Sequence, residues 1–157
     1  MKTTLLLIGK TDEEYLEHGI QKYVARIVHY SPFDIKVLPD VRNTKNMSEL
    51  QQKQREAEVI LNEIAPTDYV VVLDENGTQF TSRQFAEFIE KTTMQGARRL
   101  LFIVGGPYGF APEVYQRANR KISLSQMTFS HQMVRLIFVE QLYRAFTILR
   151  GEPYHHD

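Results

Sequence analysis

Cysteine is absent from this 157-residue chain, and its absence excludes several kinds of chemistry. There can be no disulfide, no Cys-ligated zinc, no iron–sulfur cluster and no thiol nucleophile. A chain without cysteine also suits a reducing compartment, so we expect a cytoplasmic protein. The sequence has no His-Glu-x-x-His spacing and no Gly-x-Ser-x-Gly elbow. We therefore expect neither a metal site nor a Ser/His/Asp triad.

Long hydrophobic runs are also missing. The apolar run near the N-terminus covers only residues 5–8, which is too short for a signal peptide or a membrane span. With 157 residues, of which 43% are hydrophobic, the chain has the size and composition of one globular domain. We predict a single domain over residues 1–157 and no membrane partner.

The net charge is zero, but the charge is unevenly distributed along the chain. Residues 91–157 contain nine Lys or Arg and four Asp or Glu, a net charge of +5, which leaves −5 for residues 1–90. A basic half can form a local face that binds anions such as nucleic acid. The same charges could equally lie scattered over a solvated surface, so charge alone leaves both interpretations open.

Apolar runs and helical patterns alternate about five times. Strands are predicted at residues 3–9, 34–38, 68–74, 100–104 and 121–124, and helices at 13–29, 49–64, 82–94, 112–119 and from 130 or 131 onward. Thr11 or Asp12, Ser48 and Ser82 are the predicted N-caps. Asn76 and Gly77 predict a turn after the third strand. This alternation predicts an α/β, three-layer fold with a mainly parallel sheet.

Three segments that follow predicted strands are candidates for a binding site. Ligands of parallel sheets bind beyond the carboxyl ends of the strands, which points to residues 73–77, 105–109 and 125–129. The glycines of residues 105–109 would let the backbone approach a ligand closely, although a plain strand-to-helix turn would need them too. Residues 123–129 mix apolar side chains with hydroxyls, as small-molecule pockets do, but could simply cap the last helix.

The last 27 residues predict a long amphipathic helix that runs into a polar tail containing Tyr154, His155 and His156. Proton-transfer groups at a chain end make sense if the tail folds over a site. Arg135 and Arg144 are predicted at the margin of the helix, where a guanidinium could hold phosphate or carboxylate. Alternatively, Arg144 forms a salt bridge with Glu140, four residues earlier.

Several of these motifs together resemble one family. They are Val72-Leu73-Asp74, residues 102–109, residues 124–131, Val134-Arg135, residues 140–145 and Pro153-Tyr154-His155. The combination resembles the RlmH family of bacterial ribosomal RNA large subunit methyltransferases, of the SPOUT class, over essentially the whole chain. The resemblance implies a deep C-terminal trefoil knot, an exception to the general absence of knots. It also implies a homodimer.

The activity implied by the resemblance is methylation of N3 of a pseudouridine in helix 69 of 23S rRNA on the assembled 70S ribosome. S-adenosyl-L-methionine would be the methyl donor, without a metal. The implied cofactor-binding residues are Leu73, Gly105, Leu124, Ser125, Gln126, Met127, Thr128 and Phe129.

The resemblance also implies roles in catalysis and RNA binding. His155, with Tyr154, would act as general base or proton relay, and Arg144 would stabilise negative charge on the base. His131 and Arg135 are the residues expected to bind RNA, although His131 near a helix start could equally be a cap.

Three other functions fit parts of the pattern. A ribosome-associated RNA-binding protein without activity would need only the basic face. A different SPOUT methyltransferase could act on tRNA, and a flavodoxin-like protein would bind a nucleotide. The residues alone leave open which side chain removes the N3 proton and whether two subunits build one site.

Overall fold

The computed structural model describes residues 1–41 and 44–156, which are built around one five-stranded sheet. The strands are Lys2–Ile8 (β1), Phe33–Leu38 (β2), Asp68–Gln79 (β3), Arg99–Val104 (β4) and Arg120–Ser123 (β5). They lie in the order β2-β1-β4-β3-β5, and every neighbouring pair is parallel. The predicted mainly parallel sheet is therefore confirmed, with all five strands parallel.

Helices cover both faces of the sheet and make three layers. They are Glu14–Ile27 (α1), Glu49–Glu63 (α2), Ser82–Met94 (α3), Pro112–Arg117 (α4) and Met133–Leu149 (α5), with a short 3-10 helix at Thr44–Asn46. Leu5 and Leu7 of β1 pack with α1, α3 and α5, whereas Leu6 and Ile8 pack with α2 and α4. Because β1 is buried on both faces, its residues 5–8 form a continuous apolar run. No helix among the described residues has both the length and the apolar character needed to cross a membrane.

Three phenylalanines fix α5 against the sheet. The ring of Phe138 on α5 lies 4.7 Å from that of Phe102 on β4 and 6.3 Å from that of Phe85 on α3, measured between centroids. Tilted and edge-to-face arrangements at these distances are favourable beyond simple burial. The position of α5 matters because this helix contributes to both groups of site residues.

Of the three predicted N-caps, one is confirmed and two are wrong, and α5 begins at Met133 rather than at residue 130 or 131. Ser48 and Gln51 form the predicted capping box of α2. The cap of α3 is Thr81 rather than Ser82, because the Thr81 hydroxyl accepts the Gln84 N–H and so forms a second capping box. The N-cap of α1 is Glu13, which makes no side-chain cap, so neither Thr11 nor Asp12 caps this helix.

The predicted turn at Asn76-Gly77 is wrong, because β3 continues to Gln79. Its pairing with β5 shifts register between Leu73 and Thr78, both of which lie opposite Ile122. A Cβ on Gly77 would lie 2.6 Å from the backbone carbon of Lys121, so this close approach requires glycine. The polar composition of residues 40–46 also predicts a loop, and that prediction falls partly on residues 42 and 43, which lie outside the described residues.

Candidate active site

A cavity of about 500 Å³ lies at the carboxyl edge of the sheet, where the three predicted segments meet. Its walls come from the end of β3, the glycine-rich loop after β4, the segment after β5 and the residues around the start of α5. The lining residues are Lys53, Leu73, Asp74, Glu75, Asn76, Val104, Gly105, Gly106, Pro107, Tyr108, Gly109, Phe110, Tyr115, Leu124, Ser125, Met127, Thr128, Phe129, His131 and Val134.

Seven of the eight expected cofactor-binding residues line this cavity, and so does His131. The exception is Gln126, which lies in a neighbouring depression with Glu75 and Thr128. Tertiary structure therefore brings together predicted residues that are up to 58 positions apart in the sequence, from Leu73 to His131. What each of them binds stays a prediction.

The chemical character of the cavity is mixed. Leu73, Val104 and Leu124 provide apolar walls, and the carboxylates of Asp74 and Glu75 provide negative charge. Most specific small-molecule sites combine apolar walls with a few polar groups in this way. Lys53 also lines the cavity, so a ligand there meets apolar walls and charges of both signs.

Tyr115 of α4 and Asp74 form a hydrogen-bonded pair at the cavity. The sequence analysis did not predict this pair. The Tyr115 hydroxyl donates to Asp74, whose other oxygen accepts the N–H of Asn76 at 2.8 Å. Burial, and then the hydrogen bond to Asp74, raise the pKa of Tyr115 well above its usual value. Tyr115 thus remains a donor and holds the Asp74 carboxylate in one orientation.

Glu56 of α2 packs against the glycine-rich loop at Gly106. Its side chain is buried, and a Cβ on Gly106 would overlap the Glu56 carboxylate. Burial raises the pKa of Glu56, while hydrogen bonds from Gln52 and the Gly106 backbone lower it. The sequence reading missed Glu56, although it stands four residues before Ile60 and hence on the inward face of the helix.

Arg135 does not lie at the margin of its helix, and that prediction is wrong. The residue is 0% exposed. Its guanidinium donates to the carbonyls of Gly9 and Ile8, both at 2.9 Å, and to that of His131 at 3.0 Å. A guanidinium offers five donors and no acceptor, so a cluster of carbonyls can satisfy it without a carboxylate. In this position Arg135 cannot touch RNA directly, but it ties the start of α5 to the end of β1.

Gln132 makes a second link between the same two segments. Its side-chain oxygen accepts the N–H of Asp12 at 2.8 Å, and its nitrogen donates to the carbonyl of Lys10 at 3.1 Å. The Thr11 hydroxyl accepts a further bond from Arg135 at 3.1 Å. The predicted caps of α1 thus hold α5 in place instead, and this fixes His131 at the cavity.

The tail packs against the end of α5 and forms what we call the tail cluster, Glu140, Arg144, Tyr154 and His155. Arg144 donates to Glu140 at 2.5 Å and lies 3.1 Å from Nδ1 of His155. The Tyr154 hydroxyl donates to Glu140 at 3.0 Å. The salt bridge between Arg144 and Glu140, which the sequence suggested as the alternative to anion binding by Arg144, is present.

Several arginines of the basic C-terminal half are engaged within the fold. Arg99 pairs with Asp68 at 2.7 Å, and Arg117 donates to the carbonyls of Ala65 and Asp68. Together with the burial of Arg135, these bonds show that the charge of +5 overstates what is available to an anion. Within the described residues, no group of three or more His, Asp or Glu side chains could hold a metal ion.

The cavity and the tail cluster lie at different positions along α5. Val134 lines the cavity, whereas Arg144 is ten residues further on, which corresponds to about 15 Å of helix. The structure therefore gathers the cofactor-binding candidates but places the three catalytic candidates apart from them within one chain.

Comparisons with known proteins agree with this architecture. The family described as predicted SPOUT methyltransferase matches residues 1–155. Ribosomal RNA large subunit methyltransferase H of Parabacteroides distasonis is 56% identical over 157 residues, and covers 100% of both chains. The protein of the same name from Christiangramia forsetii is 57% identical over 156 residues, or 99% of each chain.

A solved structure is also similar. It is that of a probable methylase family protein from Haemophilus influenzae Rd KW20, with a TM-score of 0.52 and 12% identity. The match covers 99% of this chain and 70% of that one. At this identity the likeness concerns the fold alone.

Proposed function

Because this chain belongs to the SPOUT methyltransferase family, we propose that it methylates large-subunit ribosomal RNA with S-adenosyl-L-methionine as the methyl donor. The observation that carries the proposal is full-length identity of 56% and 57% to proteins named ribosomal RNA large subunit methyltransferase H. The finer target is N3 of a pseudouridine in helix 69 of 23S rRNA, on the assembled 70S ribosome.

The cavity at the sheet edge suits this methyl donor. Its volume of about 500 Å³ is within the range of small-molecule sites. Leu73 and Leu124 would pack on the adenine, the backbone at Gly105 would approach it closely, and Asp74 would balance positive charge. When bound, S-adenosyl-L-methionine supplies a methyl group carried on a sulfonium cation.

We propose a homodimer in which the tail cluster of one subunit completes the cavity of the other. The support is the separation of about 15 Å along α5, which keeps the two apart within one chain. Val134, Ile137, Gln141 and Arg144 follow one another at three- and four-residue spacing, so they form one stripe of the helix from the cavity to the tail cluster. A twofold axis near Ile137 and Gln141 would place each cavity beside the partner's tail.

Arg144 has one unpaired donor. Its Nε is a buried side-chain atom for which no hydrogen-bond partner exists among the described residues. A buried donor left unpaired costs about 1–3 kcal/mol, so a rearrangement of the tail cluster that brings an oxygen of the base or of a phosphate to Nε would be stabilising. Arg144 would then stabilise negative charge on the pyrimidine ring as its N3 proton leaves.

The trefoil knot implied by the family is part of the proposal. The chain leaves β5 at one edge of the sheet, passes the glycine-rich loop and enters α5, whose start is bonded to the end of β1. Residues 124–131 thus run across the carboxyl edge of the sheet, and this crossing supports the proposal.

The test is methyl transfer from labelled S-adenosyl-L-methionine to 70S ribosomes from cells that lack this activity, followed by nucleoside analysis. A methylated pseudouridine in 23S rRNA is the expected product. Transfer only to tRNA would show that the protein is a methyltransferase whose substrate is tRNA and not rRNA. Absence of both transfer and cofactor binding would overturn the proposal in favour of an RNA-binding protein.

The dimer has its own test, which uses the lack of cysteine. Gln141→Cys introduces the only thiol, and near a twofold axis it should form a disulfide between subunits on mild oxidation. Met94→Cys, at an exposed position at the end of α3, is the matched control and should stay uncrosslinked. Sedimentation of the unmodified protein as a monomer would contradict the dimer.

A further inference from the structure

Glu140 occupies the centre of the tail cluster. One of its oxygens, Oε1, accepts hydrogen bonds from Nη2 of Arg144 at 2.5 Å and from the Tyr154 hydroxyl at 3.0 Å. The other oxygen, Oε2, accepts from Nε2 of Gln141 at 3.0 Å. The Glu140 carboxylate therefore binds two of the three expected catalytic side chains through Oε1. The hydrogen bond from Gln141 to Oε2 fixes the orientation of the carboxylate.

Arg144 also contacts His155, and so connects it to Glu140. Nη1 of Arg144 lies 3.1 Å from Nδ1 of His155. Because a guanidinium has only donors, Nδ1 must be the acceptor. A neutral imidazole in that bond carries its proton on Nε2, so the other ring nitrogen faces outward as an N–H donor.

We propose that Glu140 is a positioning residue that orients Arg144 and Tyr154 and, through Arg144, sets His155 to offer its Nε2–H as a hydrogen-bond donor to the nucleobase. The inference rests on the proposed function, because it takes the nucleobase as substrate. It gives His155 a role different from that of general base, because in this arrangement neither ring nitrogen is free to take a proton.

Tyr154, like His155, keeps its proton in the tail cluster. Burial, followed by hydrogen bonds with Tyr23 and Glu140, raises the pKa of Tyr154 well above its ordinary value, so its hydroxyl keeps its proton. With Tyr154 and His155 both as donors, the N3 proton passes to hydroxide from solvent, which becomes water, and the N–H electron pair stays on the ring. The Nε2–H of His155 and the Nε–H of Arg144 then stabilise the charge that reaches the carbonyl oxygens of the base.

The first experiment reads the protonation of the His155 ring directly. Long-range 1H–15N correlation spectra of the 15N-labelled protein, with His155→Gln to assign the signals, should show Nδ1 unprotonated and Nε2 protonated. Glu140→Ala should give a mixture of the two tautomers, because Arg144 loses its anchor. A wild-type ring protonated at Nδ1, or one unchanged by Glu140→Ala, would overturn the proposal.

A matched control separates this effect from a general loss of structure. Glu152 is also an acid near the tail, but its carboxylate accepts from Tyr30 at 2.6 Å. Glu152→Gln should leave the His155 tautomer as it is and change the methylation rate less than about twofold. A purely structural role of Glu140 would lower stability without moving the tautomer.

Kinetics complete the test. Glu140→Ala should lower kcat by about 100-fold through misplacement of the three side chains, and change KM for S-adenosyl-L-methionine less than about threefold. His155→Gln, whose amide can also donate, should keep at least about a tenth of the rate, whereas His155→Ala should lose about 100-fold.

Equal inactivity of His155→Gln and His155→Ala would point to a base and overturn the donor role. Lack of methylation by the unmodified protein would count against the proposed function instead. The ring spectra judge the positioning role in either case.

Discussion

Mixing subunits that carry different defects tests whether the catalytic site is shared between two chains. Thr128→Arg puts a bulky cation into the cavity at an exposed position, so the fold should survive while cofactor binding fails. His155→Ala removes a side chain of the tail cluster and leaves the cavity intact. Each homodimer should be nearly inactive, because both of its sites carry the same defect.

The expected activity of the mixture follows from counting its intact sites. If the tail reaches the partner's cavity, a heterodimer has one site with an intact cavity and an intact tail, and a second site with neither. Random reassociation makes about half of the dimers heterodimeric, so the mixture should regain about a quarter of wild-type activity. A site built within one chain would give no recovery, because every chain carries a defect.

The assay is labelled methyl transfer to 70S ribosomes after the two variants are refolded together. The reciprocal control places both substitutions on one chain and pairs it with the wild-type chain, using two affinity tags to isolate the heterodimer. A shared site predicts almost no activity for that heterodimer, whereas a site within one chain predicts about half. Recovery only in the reciprocal pair would refute the shared site.

Three further predictions concern the supports of the cavity. Arg135→Met leaves the carbonyls of Ile8 and Gly9 unpaired, so we expect the free energy of unfolding in urea to fall by about 3 kcal/mol, and a loss below about 1 kcal/mol would contradict this role. Gly106→Ala pushes the loop away from Glu56, so calorimetry should show S-adenosyl-L-methionine bound about tenfold more weakly. Gly96→Ala, at a glycine outside the cavity lining, is the control: its φ of +82° makes alanine strained, but cofactor binding should stay normal. Because burial raises the pKa of Glu56, this residue favours the folded state below the ordinary pKa of glutamate and loses that contribution as pH rises through the raised value. Stability curves of Glu56→Gln and wild type should therefore diverge, in favour of the variant, as pH rises above about 4.5, and parallel curves would show that Glu56 ionises normally.

The strands were predictable because their physical cause is local. The part of a parallel strand that helices cover on both faces must be apolar at nearly every position, and residues 5–8 of β1, 70–73 of β3 and 100–104 of β4 are such runs. The segments that follow these strands could then be assigned to one edge of the sheet, where the cavity lies. Seven of the eight expected cofactor-binding residues line the cavity for this reason.

Positions set by long-range partners were not predictable. Arg135 is an arginine on a helix, and nothing near it in sequence shows that carbonyls at positions 8 and 9 would surround its guanidinium. Likewise Asn76-Gly77 has the composition of a turn, but β5 passes so close to Gly77 that the strand continues. The support of Gly106 by Glu56 joins residues 50 positions apart.

The sequence by itself determined the α/β class, the parallel sheet and the edge of the sheet where a ligand would bind, because these follow from the period and length of apolar runs. Only tertiary structure decided that Arg135 is buried, that Glu140 ties Arg144 to Tyr154, and that the tail cluster lies about 15 Å of helix away from the cavity. Hydrogen bonds and ion pairs act over a few ångströms, so what a polar side chain does depends on which distant segments the fold brings within that distance.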